Sequence, residues 1–148
     1  MKVRIKKLNE KAVMPTKAHA TDAGFDLYCT SKEIDWGRRQ LVCHTGLAFE
    51  IPEGYVGLIF PRSSVSGKPL MMANSVGVVD SGYRGEVTAK FNITDTRYSA
   101  FSHYQEGDRI AQMIIILIRR LSSRRLTAFP TATEAPAAMV QQGGSHEV

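Results

Sequence analysis

The feature that most limits the fold of this chain is a series of short runs rich in β-branched and aromatic residues. They read VRIKKL, FDLYCT, LVCHTGLAFEI, GYVGLIF, EVTAKFNI and RIAQMIIILI. Clusters of turn-forming residues, such as IPEG, DSGYRG and QEGD, separate them. Regular short strands with this turn chemistry predict an all-β sandwich or barrel. The only stretch with helical promise is SSVSGKPLMMANS, which predicts a turn or two of helix after a strand.

Composition and charge narrow the class of protein. With 148 residues, 43% of them hydrophobic, the chain can bury the core of a single domain. The net charge is a moderate +5, and a good share of it comes from RRLSSRR, residues 119–125. Because one segment carries so much of the charge, no stable nucleic-acid binding is expected.

Two features bear on the compartment. The segment MKVRIKKL lacks the continuous apolar stretch of a signal peptide, and IAQMIIILI is too short, and too polar at Gln112, to span a bilayer. Cys29 and Cys43 lie in apolar runs without the spacing of metal ligands, which favours small buried thiols. These features predict a soluble, cytoplasmic protein without a membrane partner.

Two motifs in the first half of the chain carry polar groups that could act on a ligand. In ATDAGFDLY, Asp22 and Asp26 flank a tight glycine turn, where acidic residues usually serve only to form the turn. In FPRSS, Arg62 and the two following serines could hold phosphate oxygens. A helix beginning at Ser63 or Ser64 would add backbone N–H groups, and a simple helix cap is the alternative interpretation.

Two later motifs complete the inventory of a nucleotide site. In GVVDSGYRGEV, Asp80 is placed as a general base, Tyr83 offers a flat face, and the glycines allow the backbone to approach a ligand. The alternative is an ordinary hairpin turn, DSGY, with an incidental aromatic residue. In QEGDRIAQM, Gln112 needs a partner within an apolar run, which could be a phosphate, a water or a neighbouring backbone group.

Together these motifs carry a resemblance to a known family. DAGFDLY, PRSS, NSVGVVDSGYRGEV and GDRIAQM occur in the order, and at about the spacing, of the first four motifs of the trimeric dUTPases, over residues 1–118. The resemblance implies a jelly-roll-like β-barrel, a homotrimer with active sites at its subunit interfaces, and Mg²⁺-assisted hydrolysis of dUTP to dUMP and pyrophosphate. In such a trimer IAQMIIILI would suit a strand buried against neighbouring subunits, with an ordinary core strand as the alternative.

The resemblance also implies roles for individual residues. Asp80 resembles the catalytic residue that orients the attacking water and contacts the deoxyribose 3′-hydroxyl. Tyr83 resembles the ring that packs against the sugar and excludes a 2′-hydroxyl. Asp26 resembles the acidic residue that holds Mg²⁺ through water, which suits an ion reluctant to lose its hydration shell.

The remaining implied contacts are with the base and the phosphates. Asn74 and the backbone around Gly77 resemble the readers of uracil, where main-chain donors and acceptors copy a base-pairing edge. The full set that resembles the family's substrate contacts is Arg62, Ser63, Ser64, Asn74, Gly77, Val79, Tyr83 and Gln112.

Residues 119–148 depart from the family pattern. The dUTPases end in a Gly-rich fifth motif with an Arg and an aromatic residue, whereas EAPAAMVQQGGSHEV has neither at the equivalent place. Read from the third base of each codon into the next, the codons from Pro130 to Gly143 permit DSDRGTGGYGSTG, which resembles that motif. We therefore predict a β-barrel domain, residues 1–118, followed by an atypical tail, residues 119–148, that is read in a shifted frame, with a genuinely divergent tail as the alternative.

Two other functions stay open. A dCTP deaminase shares the fold and an Arg-Ser-Ser element, but the pairing of Asp80 with Tyr83 fits a dUTPase better. Because the fifth motif is missing, the chain could also be a dUTP-binding or regulatory trimer with impaired turnover.

Overall fold

The short runs of the sequence form ten β-strands in the computed structural model, which describes residues 2–95, 97 and 102–119. The strands are β1 (Arg4–Lys7), β2 (Phe25–Tyr28), β3 (Ser31–Asp35), β4 (Gln40–His44), β5 (Leu47–Glu50), β6 (Tyr55–Pro61), β7 (Leu70–Met72), β8 (Gly77–Val79), β9 (Thr88–Ile93) and β10 (Arg109–Leu117). One 3₁₀ helix, Ser63–Gly67, follows β6. The prediction of an all-β fold is confirmed. The predicted frame-shifted tail, beyond Arg119, lies outside the described residues.

The strands form two four-stranded sheets and a two-stranded ribbon, all antiparallel. One sheet has the order β2-β10-β6-β8, the other has the order β3-β4-β9-β7, and β1 pairs with β5. This jelly-roll-type arrangement agrees with the predicted fold. In the first sheet β10 lies between β2 and β6, so that Gln112 is opposite Asp26 on one side and Phe60 on the other. Three motifs that are far apart in sequence therefore meet on neighbouring strands.

The core lies between the sheets. On β9 the side chains of Ala89, Phe91 and Ile93 are buried while their neighbours are less so, as expected for a strand with one face on the core. Phe91 packs against Tyr104 with ring centroids 5.1 Å apart and planes tilted by 52°. This contact holds the segment before β10 against the second sheet.

Two local predictions were incomplete. LVCHTGLAFEI forms two strands because the chain turns at Gly46, whose φ is +64°. A Cβ there would lie 2.6 Å from Asn9 Nδ2, so the close approach also requires glycine. In SSVSGKPLMMANS the helical part is confined to the 3₁₀ helix, and Leu70–Met72 pairs with β9 as a strand.

The apolar strand β10 changes character along its length. Ile110, Ala111 and Met113 are buried in the core, whereas Leu117 is 69% exposed. Its first half is therefore an ordinary core strand, and its second half presents apolar side chains outward. Within the described residues, no helix has the length and apolar character needed to cross a membrane.

The two cysteines are buried and free, as predicted. Cys29 is 2% exposed and Cys43 is fully buried. Burial and the hydrogen bond with Cys29 raise the pKa of Cys43, so this thiol stays protonated. Both groups behave as small apolar side chains of the core.

Candidate active site

A polar cavity of about 290 Å³ lies where β2, β6 and β10 run side by side. It is lined by Ala18, Asp22, Ala23, Gly24, Asp26, Arg62, Ser63 and Gln112. The antiparallel register explains this convergence, because Gln112 is directly opposite Asp26 and Arg62 follows the last residue of β6. The structure thus brings together four of the predicted site residues, and we call this the phosphate-side cavity.

Asp26 is the electrostatic centre of the phosphate-side cavity. Its side chain is buried and accepts hydrogen bonds from Arg62 Nε at 2.7 Å and Arg109 Nη1 at 3.2 Å. A buried carboxylate needs such partners because unpaired burial of a charge is costly. The second arginine was missed by the sequence analysis, although it lies inside the quoted motif GDRIAQM. The two guanidinium groups offset the carboxylates of Asp26 and Asp22, and Arg62 lines the cavity as a charged donor that suits an anion.

Gln112 has a structural partner as well as a place in this cavity. Its Nε2 donates to the carbonyl of Pro61 at 3.2 Å. Of the three partners considered from the sequence, a phosphate, a water or a neighbouring backbone group, the structure shows the backbone group. Gly24 packs against Gln112: a Cβ at that position would lie 2.8 Å from Gln112 Oε1. Gly24, two residues before Asp26, therefore leaves room for the side-chain amide of Gln112.

Two carboxylates of the phosphate-side cavity, Asp22 and Asp26, could contribute to a magnesium site. Within the described part of the chain, no group of three or more His, Cys, Asp or Glu side chains could hold a metal by itself. Asp26 and Asp22 both line the phosphate-side cavity, but Asp26 already accepts from two arginines and Asp22 accepts from the backbone N–H of His19 at 2.8 Å. This set fits Mg²⁺ held through its water shell and by substrate oxygens, which is the usual mode for this ion.

A second cavity, of about 130 Å³, lies beside β8 and the turn that follows it. It is lined by Ile59, Met72, Asn74, Gly77, Val78, Val79, Tyr83, Glu86, Val87 and Thr88. All four predicted contacts in this motif, Asn74, Gly77, Val79 and Tyr83, line it, and we call it the base-side cavity. A Cβ at Gly77 would lie 3.2 Å from Ile59 Cβ and 3.3 Å from Asn74 Nδ2, so a larger residue would crowd this wall of the cavity.

A tight turn follows β8 and carries the predicted catalytic residue. Tyr83 N donates to the carbonyl of Asp80 at 3.0 Å, which closes a β-turn over DSGY. The turn and the candidate site are therefore the same feature, and the two interpretations of the sequence do not exclude each other. Asp80 is exposed and directly follows Val79, which lines the base-side cavity. Tyr83 is 45% exposed, and its hydroxyl donates to the carbonyl of Glu86 at 2.9 Å.

The two cavities do not meet within one chain. Val79 is opposite Gly57 in β6, whereas Arg62 lies five positions further along, just beyond Pro61. At a rise of about 3.3 Å per residue, this separation places Asp80 and Arg62 roughly 15–20 Å apart. Asp80 and the phosphate-side cavity of the same chain are therefore well separated along β6.

Ser64 lies apart from both cavities. Its hydroxyl is 3.5 Å from that of Tyr104, at the margin of a hydrogen bond. Burial raises the pKa of Tyr104, so its hydroxyl stays protonated and can donate. Ser63 is exposed toward the phosphate-side cavity, and the 3₁₀ helix begins there without a side-chain cap. The helix-cap alternative is therefore wrong for the side chains of this motif.

Comparison with known proteins adds a family to this geometry. The dUTPase family model matches residues 10–144. The deoxyuridine 5′-triphosphate nucleotidohydrolase of Tropheryma whipplei strain Twist is 36% identical over 130 residues, which cover 87% of this chain and 88% of that protein. The protein of the same name from Mycobacterium bovis strain BCG Pasteur is 38% identical over 145 residues, 96% and 90% of the two chains.

Solved structures show the same similarity. A mutant dUTPase from phage phi11 of S. aureus superimposes with a TM-score of 0.73 at 27% identity, covering 87% of this chain and 99% of that one; it coordinates a structural Mg(II) ion. A mutant dUTPase of Staphylococcus bacteriophage 80alpha, solved with dUpNHpp, gives a TM-score of 0.75 at 26% identity, covering 90% and 92%.

Proposed function

Since this chain belongs to the dUTPase family, we propose that it hydrolyses dUTP to dUMP and pyrophosphate. The product dUMP is a precursor of thymidylate, and removal of dUTP limits uracil in DNA. We place this reaction in the cytoplasm. The observation that carries the proposal is that one chain holds both a base-side cavity, whose lining residue Val79 directly precedes Asp80, and a phosphate-side cavity built around Arg62, Ser63 and Gln112.

Asp80 is the residue that activates water. Its carboxylate is exposed at the end of β8 and makes no hydrogen bond that would compete with a water molecule among the contacts of the described residues. The water oxygen attacks the α-phosphorus, the bond from that phosphorus to the α,β-bridging oxygen breaks, and pyrophosphate leaves. Asp80 accepts the proton that the water loses.

The base-side cavity selects the base and the sugar. Its small volume and the close approach permitted by Gly77 suit a pyrimidine without a 5-methyl group, read by main-chain groups and by Asn74. The ring of Tyr83 lines this cavity, and in the proposed complex it crowds a 2′-hydroxyl, so a ribonucleotide is disfavoured. Specificity then depends on steric exclusion on one side and on hydrogen bonding on the other.

The phosphate-side cavity holds the triphosphate. Arg62 provides a charged donor, and Ser63 and Gln112 provide neutral ones. A bound Mg²⁺ would neutralise phosphate charge, with Asp26, and Asp22 beside it, contacting the ion through water. Asp26 also fixes Arg62 for this task through their 2.7 Å contact.

A homotrimer completes the site. Because Asp80 and Arg62 are separated by most of the length of β6, one nucleotide reaches both only if they come from different subunits. The outward-facing apolar end of β10, together with Ile118 just beyond it, supplies surface for such an assembly.

Side-by-side assays test this function. The protein is incubated with dUTP and with dCTP in Mg²⁺ buffer, and pyrophosphate and ammonia are measured. Pyrophosphate from dUTP alone supports the proposal, whereas ammonia from dCTP would identify a deaminase. Tight dUTP binding without pyrophosphate would favour a binding or regulatory trimer, a candidate that rests on the absence of a recognisable fifth motif in the tail.

A further inference from the structure

The segment that carries Tyr83 is tied to the corner between β4 and β5 by the carboxylate of Glu86. Glu86 is partly buried, with its side chain 28% exposed. Its Oε1 accepts from the backbone N–H of Gly46 at 2.7 Å, and its Oε2 lies 3.0 Å from His44 Nδ1. Both carboxylate oxygens are therefore taken up by the corner between β4 and β5.

The backbone that follows Glu86 is fixed to the same corner through Val87. Thr45 Oγ1 donates to the carbonyl of Val87 at 2.6 Å, and Val87 N donates to the carbonyl of Leu47 at 2.9 Å. The first of these groups is buried, so its hydrogen bond is protected from water. The carbonyl of Glu86 consequently has a defined position relative to the second sheet.

That carbonyl is the acceptor for the hydroxyl of Tyr83. The 2.9 Å contact fixes one end of the ring, and the backbone hydrogen bond from Tyr83 to Asp80 fixes the other. Gly85 is required beneath the ring because a Cβ there would lie 2.6 Å from the Tyr83 hydroxyl. The orientation of the ring is thus determined by the position of the Glu86 backbone.

We propose that Glu86, held by His44 and Gly46, is a positioning residue that sets the orientation of the Tyr83 ring and thereby the preference for deoxyribose. This proposal rests on the function proposed above and deepens it. Glu86 acts through Tyr83: its carboxylate faces the β4–β5 corner, and only its carbonyl meets the tyrosine. Small displacements of such a ring are costly for discrimination because the steric exclusion of one hydroxyl depends on tenths of an ångström.

Binding measurements test the positioning role without relying on turnover. The affinities of dUpNHpp and of its ribose counterpart are measured by calorimetry for the wild type, Glu86→Gln and Glu86→Ala. We expect Glu86→Ala to lower the ratio of the two affinities by about tenfold, through tighter ribose binding and weaker deoxyribose binding, with Glu86→Gln intermediate. The ratio of kcat/KM for dUTP and UTP should fall in parallel, with KM changing more than kcat.

Two comparisons separate positioning from general loss of structure. Glu33→Gln changes the other carboxylate near His44, which lies 3.9 Å from Nε2 and is 70% exposed, and should leave the ratio unchanged. In Tyr83→Phe, which lacks the hydroxyl, adding Glu86→Ala should lower the ratio no further, because the contact between them is already gone. Additive effects in this pair would overturn the proposal.

The outcomes also separate the two proposals. A wild type that binds neither analogue overturns the proposed function. A wild type that prefers dUpNHpp, together with Glu86 variants that fold and keep the wild-type ratio, overturns the positioning role alone. Thermal unfolding of each variant shows which of them fold. If Glu86→Ala does not fold, Glu86→Gln still tests the proposal, because its side-chain oxygen can accept from the backbone N–H of Gly46.

Discussion

Asp80 and Arg62 lie toward opposite ends of the antiparallel pair formed by β6 and β8, although the proposed reaction needs both at one phosphate. Val79 is opposite Gly57, and the chain continues through Pro61 before it reaches Arg62. In the proposed mechanism each subunit therefore offers the proton acceptor at one place and the phosphate donors at another. The proposed trimer unites them through its symmetry.

Mixed trimers should recover activity that neither parent has. Asp80→Asn and Arg62→Ala should each be nearly inactive, because each removes one half of every site. When the two are dissociated, mixed in equal amounts and reassembled, about a quarter of the sites will combine an intact Asp80 with an intact Arg62 if the subunits assort at random. Pyrophosphate release by the mixture is the measurement.

The control for this experiment is each variant reassembled alone, which should stay inactive. Sedimentation before and after mixing reports the assembly. A monomer or dimer, or a mixture as inactive as its parents despite exchange, would contradict the shared site.

Asp80→Asn should abolish turnover and leave binding nearly intact. The amide keeps the shape of the exposed side chain but cannot accept the proton of the attacking water, so kcat should fall by about 10²–10⁴-fold. Calorimetry with dUTP and measurement of pyrophosphate release separate the two effects. Joint loss of binding and of the folded state would show that Asp80 has a structural role instead.

Tyr83→Ala should raise the use of UTP relative to dUTP. Removing the ring opens space beside the 2′-position and also removes a surface that packs on the sugar, so kcat/KM for dUTP should fall while that for UTP rises or holds. The measurement is the ratio of the two kcat/KM values. An unchanged ratio would mean that another group excludes the ribose.

His103 should make the fold sensitive to acid. It is 1% exposed, neither ring nitrogen has a hydrogen-bond partner among the described residues, and burial together with the nearby charges of Lys32 and Lys68 lowers its pKa. The unfolded chain binds the proton more readily, with the ordinary pKa of 6.5. Stability is therefore retained above about pH 6.5 and falls as the pH drops through and below that value.

Denaturant unfolding between pH 4.5 and 8 measures this dependence. In His103→Phe the slope of unfolding free energy against pH below 6.5 should decrease by the equivalent of up to about one proton. His19→Phe is the matched control, since His19 is a largely exposed histidine. Equal slopes in the wild type and His103→Phe would show that His103 does not titrate with folding.

Restoring the reading frame of the tail should increase turnover far more than base recognition. The expected motif, DSDRGTGGYGSTG, would supply an arginine and an aromatic residue to close over the phosphates, so kcat should rise by about 10²-fold or more, with little change in the affinity for dUMP. Gene sequencing is the first check, because third bases that cannot spell this motif would end the hypothesis. An unchanged rate in the restored protein would show that closure is dispensable.

The strands and the two cavities were accessible from the sequence to different degrees. The long runs that form β6, β9 and β10 can be predicted as strands because each has five or more apolar, aromatic or β-branched residues between turns. The short strands Leu70–Met72 and Gly77–Val79 cannot be predicted in this way, because three residues are too few to show an alternation of apolar and polar side chains. They are strands because they pair with β9 and β6, respectively.

The family motifs predicted which residues matter but not how they are held. Arg109 stands two residues before Ala111 in a quoted motif, yet its contact with Asp26 depends on the register of β10 with β2. The role of Glu86 was also missed, because its partners lie about 40 residues earlier, at the end of β4 and just beyond it. Such contacts join segments whose distance apart is set by the fold alone. Of these two residues, only Arg109 could have been found from the sequence, because it is a cation in the same motif as the predicted phosphate contact Gln112.

The central place of β10 in its sheet has a consequence for how the protein is made. β2, β6 and β8 are synthesised early, but β2 and β6 are not neighbours; each waits for β10, which ends at Leu117. Until that strand leaves the ribosome, two open edges of the sheet are available to other nascent chains. Closure then depends on contacts between residues as distant as Asp26 and Gln112, which makes folding slow. The phosphate-side cavity is accordingly one of the last parts of the subunit to exist, and a chain truncated before Arg109 would have no such cavity.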